Sequence, residues 1–150
     1  MRGLGDLLDL VGRAMLGLTF IYWGGRKLAD ILGLGAPELG GWTAYMEAQG
    51  VPGLLLPLVI LTEISFGLML VLGWKVRAAG LALAGFCLLA NLFFHTGFGL
   101  PPPAGLFNWV VFLKNFAVAG GLLVIAGRGA GAWSLDRRAA DRRGGPFHRS

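Results

Sequence analysis

Apolar residues fall in four long blocks, at about 10–28, 52–72, 76–98 and 106–126. Each block is about 20 residues, or about 30 Å of helix, enough to cross a bilayer. None of them alternates polar with apolar positions as a membrane β-strand does. The first connection is long and carries its own pattern. In "PELGGWTAYMEAQG", Leu39, Trp42, Tyr45, Met46 and Gln49 recur at three- and four-residue spacing, with Glu38, Thr43 and Glu47 off that face. This spacing predicts a helix lying in the membrane interface, anchored by Trp42 and Tyr45. Gly50 is its stop, Pro52 opens the next span and Pro57 is a candidate kink. The second connection, "GWKVR", is tight, so the spans around it are antiparallel neighbours. The third contains "GLPPPAG", which cannot be helical throughout. The predicted fold is all-α: an integral membrane four-helix bundle with an interfacial amphipathic helix in the first loop.

Composition agrees with a membrane setting. Hydrophobic residues make up 55% of the 150 positions and charged residues only 14%, with a mean hydropathy of +0.68. A soluble domain of this length needs more polar surface to cover its core. The 26 glycines fit as well, since Gly is commoner in membrane helices than in soluble ones. Asp6 and Asp9 interrupt the start and no small-x-small cleavage site follows, so the first helix is expected to be retained.

Charge sets an expected orientation. Arg2 and Arg13, then Lys75 and Arg77, then Arg128 and the arginines of the tail share one side of a four-span chain. The other side has Arg26 and Lys27 to set against them. By the positive-inside rule both termini are cytoplasmic. The net charge of +5 is therefore mostly a topology signal. Residues 1–136 form the expected membrane domain, and 137–150 a basic, disordered cytoplasmic tail that can touch anionic headgroups. No folded basic module precedes that tail, so nucleic acid is not an expected partner.

Polar residues inside the blocks are the candidates for function. Helical rise places His95 about 3 Å, Tyr22 about 6 Å, and Asn91 and Thr19 about 10 Å from the outer ends. Lys114 and Asn115 fall about 12 Å deep and Glu63 about 16 Å deep. They cluster in the outer half of the predicted bundle. Asn91 and His95 are four apart and share a face. An ionised residue at the centre of a membrane helix costs about 2.5–3.5 kcal/mol, so Glu63 is expected to face inward toward a cation. Lys114 is the predicted partner. Three readings of that contact stay open: a structural pin between helices, a pocket for a small molecule or proton, or a protonated, hydrogen-bonded Glu63. Arg26 and Lys27 are assigned to the outer rim, with a dip toward the cluster as the alternative. Arg13 is expected to snorkel to the cytoplasm, with Asp9 one turn back.

Other chemistries have no residues to carry them. The single cysteine, Cys87, has no CxxC partner, so dithiol chemistry within the chain is excluded. With His148 in the tail, two histidines cannot hold a haem inside the bundle. No metal site, P-loop, Rossmann glycine pattern, HExxH or serine elbow is present. No covalent cofactor is expected.

Several stretches, in order, are similar to those of the DoxX family of small four-helix membrane proteins. They are "GGRKLAD", "YMEAQGVP", "TEISFGLMLVLGWKVRAAGLALA", "FLKNFAVAGGLLVIAG" and the closing "SLD", together covering about 10–136. Glu63, His95, Lys114 and Asn115 match positions that recur in that family. The resemblance implies a bacterial or archaeal plasma-membrane protein. Some relatives are associated with quinone-linked oxidation of sulfur compounds, others with thiol and oxidative-stress systems. No catalytic residue set comes with it.

The expected function is thus a redox-linked subunit that binds a quinone or similar small molecule in the outer polar cluster. Membrane lipids, a redox partner subunit and further copies of the chain are the candidate partners. The alternative is a non-enzymatic scaffold or anchor. A small transporter or proton pathway ranks last, because four short helices leave little room for alternating access.

Overall fold

The computed structural model describes residues 2–34 and 40–143. These form helices α1 (Arg2–Ile31), α2 (Trp42–Ala48), α3 (Leu56–Leu72), α4 (Val76–Phe94), α5 (Ala104–Arg128) and α6 (Leu135–Arg143), with no strand among the described residues. Leu39, of the expected interfacial face, Glu38 beside it, and tail residues 144–150 with His148 lie outside them.

Helix boundaries follow local chemistry. Helix α1 extends beyond the expected 10–28 on both sides, because its flanking residues are helix-compatible, no proline interrupts them, and no glycine before Gly33 takes a positive φ. There the φ of 68° ends the helix in the left-handed region. The expected kink at Pro57 is absent. A 3-10 turn, Gly53–Leu55, precedes α3 and places Pro57 in the first turn, where its missing N–H is no loss. Helix α4 stops at Phe94, short of the expected 98, and His95 leaves the helical region with a φ of −131°. Residues from 137, expected to be disordered, continue in α6 as far as Arg143. Ser134 explains this: its Oγ accepts from Arg137 N at 3.1 Å as a helix cap.

Among the described residues, three helical stretches are long and apolar enough to cross a membrane: Gly53–Leu72, Val76–Phe94 and Ala104–Arg128. Their outward faces are exposed leucine, phenylalanine and valine, including Leu58, Leu61, Leu88, Leu92, Val110, Phe116 and Leu123. Apolar surface on that scale suits lipid and not water.

Two tight antiparallel pairs build the core, α1 with α3 and α4 with α5, and they join through α3 with α4 and α1 with α5. Buried positions on α1 run Arg13, Gly17, Phe20, Gly24, Lys27. On α3 they run Leu56, Ile60, Glu63, Gly67, Leu70. Each series steps by three or four residues, one helical face. Gly17 and Gly67 let the backbones meet. A Cβ on Gly17 would lie 2.6 Å from the Gly67 carbonyl oxygen, and one on Gly67 would lie 2.8 Å from that of Gly17. Gly80 plays the same part between α4 and α5, facing the Leu122 carbonyl and Ala126. Lipid supplies no hydrophobic drive between helices, so such close small-residue contact holds the pairs together. An apolar core of Phe20, Leu70, Leu83, Cys87, Ala119 and Leu122 fills the centre, and Met46, Leu56 and Ile60 form a second under α2.

The end that carries Lys75 is locked by polar contacts. Arg13 is 1% exposed. Its Nη1 donates to the Leu70 carbonyl at 3.1 Å and its Nη2 to that of Trp133 at 2.8 Å. The expected snorkelling of Arg13 is therefore replaced by burial, because carbonyls freed at the end of α3 and after α5 accept its protons. Asp136 accepts from Lys75 N at 2.8 Å and Val76 N at 3.1 Å, capping α4 from a distant segment. That bond also holds Lys75 at a φ of 46°, a conformation few side chains adopt.

Candidate functional site

Lys27 lies one turn before the end of α1, on the face that meets α3. Its Nζ donates to both Glu63 oxygens at 2.8 Å. Lys27 is 9% exposed and Glu63 4%. One ammonium thus meets both carboxylate oxygens, which neutralises the pair where water is scarce. Gly24 makes the approach possible, since a Cβ there would collide with Ile64 and crowd Glu63.

Helix α2 covers this pair. The Trp42 ring lies 4.8 Å from Lys27 Nζ, a cation–π contact. Asp30, one turn beyond Lys27, fixes the start of α2 by accepting from Trp42 N at 2.8 Å. Aromatic contacts then run from Trp23 to Trp42 and from Trp42 to Tyr45, and Tyr45 stacks on Phe94 at 5.6 Å. Burial raises the Tyr45 phenol above its usual value of 10. The arch therefore connects the Lys27–Glu63 pair to the C-terminal end of α4.

His95 stands at that end, half-buried. Its Nδ1 and the Trp42 Nε1 are both buried without a hydrogen-bond partner. Nearby, Asn108 Nδ2 donates to the Gly97 carbonyl at 3.3 Å. Asn91 is 2% exposed. It accepts from Asn115 Nδ2 at 3.0 Å and donates to the Phe112 carbonyl at 3.0 Å, tying α4 to α5.

The pairing expected from the sequence, Glu63 with Lys114, is not formed. Lys114 is exposed on α5. Its neighbour Asn115 takes the direction toward α4, and one residue along a helix is about 100° of rotation. Lys27, assigned to the rim, is the actual partner. Tyr22 is 57% exposed and contacts the edge of Trp23, outside the cluster. Thr19 and Arg26 are also exposed. Sequence reasoning missed the Trp42 roof and the clamp at Asp30. It also missed the buried Arg13, though the stripe Arg13-Gly17-Phe20-Gly24-Lys27 carried the signal. Among the described residues no three His, Cys, Asp or Glu side chains converge to hold a metal.

A family model described as DoxX matches residues 8–96. The chain belongs to the DoxX family. Lys27, Trp42, Glu63 and His95 all lie inside the matched DoxX region. The chain is 39% identical over 137 residues to the inner membrane protein YqjF of Escherichia coli (strain K12), covering 91% of this chain and 95% of that one. It is 29% identical over 134 residues to the inner membrane protein YphA of the same organism, covering 88% and 90%. No solved structure matches the chain.

Proposed function

We propose that this protein is a redox-linked DoxX subunit of the bacterial inner membrane that holds a quinone headgroup beside the Lys27–Glu63 pair. In this reading α1 is a fourth span. It has 30 residues, and Arg13 and Lys27 both find partners that lower the cost of crossing. The cations of Lys75, Arg77, Arg128 and α6 put both termini in the cytoplasm, and α2 lies in the outer interface.

The observation that carries the ligand is that two of the three unpartnered buried side-chain nitrogens among the described residues, Trp42 Nε1 and His95 Nδ1, lie at this end, the third being Arg13 Nε at the other. Indole Nε1 can only donate, and a histidine Nδ1 donates in one tautomer. An unmet buried donor is unfavourable by about 1–3 kcal/mol. Ring contacts run from Trp42 through Tyr45 to Phe94, the residue before His95. A flat ring with two acceptor oxygens matches that donor set, and a quinone has this form. A bound quinone supplies two-electron, two-proton chemistry, with electrons from a partner subunit or second substrate. Trp42 and His95 orient the ring, and Lys27 and Glu63 hold a mobile proton beside it.

The test is quinone bound per chain, by mass spectrometry of protein purified in mild detergent. Wild type and Lys114→Ala should carry stoichiometric quinone, and folded Trp42→Phe and Glu63→Gln should lose it. No quinone in wild type would sink the reading.

A scaffold is the second reading, favoured by one observation: Lys27 meets both oxygens of Glu63 unaided. The pair then pins α1 to α3, and deletion of α6, not mutation of the pair, would abolish function.

A further inference from the structure

The basic segment after α5 is folded and held. Asp136 N donates to the Gly73 carbonyl at 2.9 Å, the Asp136 carboxylate caps α4, and Arg13 grips the Trp133 carbonyl. Helix α6 therefore projects from a fixed point beside the α3–α4 turn. Its Arg137, Arg138 and Arg142 are exposed, as are Lys75, Arg77 and Arg128 at the same end. Arg77 lies against Gly129 at the end of α5, its Nε 3.4 Å from where a Cβ would be. Two large rings share this end, Trp74 at 47% exposed and Trp133 at 54%. Lys75 Nζ sits 5.1 Å from the Trp74 ring.

Acidic groups at this end are mostly engaged. Asp136 is bonded to backbone, Asp141 pairs with Arg137 at 3.3 Å, and Asp9 faces Arg128 at 3.9 Å. Exposed pairs of this kind are weak and leave the arginines open to a better acceptor. Arginine binds phosphate with a planar fork of donors, and tryptophan settles at headgroup level.

We infer that α6, with the α3–α4 turn and the end of α5, forms a fixed shelf that binds the phosphates of anionic phospholipids in the cytoplasmic leaflet. The occupant is lipid because the cations and both tryptophans adjoin helices whose outer faces are apolar. A soluble anion would have no use for the exposed rings.

The experiment places the full chain in vesicles of phosphatidylcholine mixed equally with phosphatidylglycerol, with bromine on the tails of one lipid or the other. Subtracting the signals of Trp74→Phe and Trp133→Phe isolates the two rings. Their fluorescence should be quenched more by brominated phosphatidylglycerol. That preference should fall by roughly fivefold per arginine lost in Arg137→Gln, Arg138→Gln and Arg142→Gln. It should also fade in about 1 M salt, where screening acts within about 3 Å. Co-purified phosphatidylglycerol, counted by native mass spectrometry, should drop in the triple variant. Equal quenching by both lipids, or a preference unchanged in the triple variant, would overturn the inference.

Discussion

Lys27 Nζ reaches both oxygens of Glu63 at 2.8 Å, joining the C-terminal end of α1 to the middle of α3. Breaking one side leaves the other charge buried and alone. Glu63→Leu and Lys27→Met should each destabilise the protein by about 3–5 kcal/mol. The double variant should recover much of that loss, because no orphan charge remains. Thermal unfolding in detergent reads all three.

Gly17 and Gly67 should tolerate no side chain. Gly17→Ala puts a methyl 2.6 Å from the Gly67 carbonyl oxygen, and the helices must move apart. A loss of about 1–3 kcal/mol is expected. Gly85→Ala and Gly120→Ala meet nothing within 4 Å and should unfold like wild type.

Asp136→Ala removes the carboxylate that accepts from Lys75 N and Val76 N. Loss of such a cap destabilises by about 0.5–2 kcal/mol. Release of α6 should follow, seen as faster tryptic cleavage after Arg128 and Arg137 than in wild type.

Tyr45 gives a pH signature. Its phenol is raised above 10 by burial, so the neutral form is favoured in the folded protein. The stability it contributes is fully present below the unfolded value near 10 and is lost as pH rises through the higher folded value. In Tyr22→Phe, which leaves Tyr45 as the only tyrosine, phenolate absorbance should appear above pH 10. Ionisation near pH 10 would show that Tyr45 is not buried between α2 and Phe94.

Much of the fold was legible from apolar block length, and the helix in the first loop from spacing around Trp42 and Met46. The partner of Glu63 was not. Depth alone favoured Lys114, whereas the direction of a side chain around its helix decided the matter. Asn115 takes the bond to Asn91 on α4, while Lys114 is exposed and Lys27 occupies both oxygens of Glu63. Lys27 looked like a rim residue because the first helix was ended at 28, and its continuation to Ile31 carries the lysine inward. The cap from Asp136 links residues 60 positions apart, which local pattern does not encode.

The most direct measurement is a pair of double-mutant cycles on Glu63, one with Lys27 and one with Lys114, read by unfolding free energy. Coupling above about 3 kcal/mol with Lys27, as single losses of about 3–5 kcal/mol and a largely recovered double variant require, and none beyond about 0.5 kcal/mol with Lys114, is the predicted result. Stronger coupling to Lys114 than to Lys27 would contradict the account at its centre.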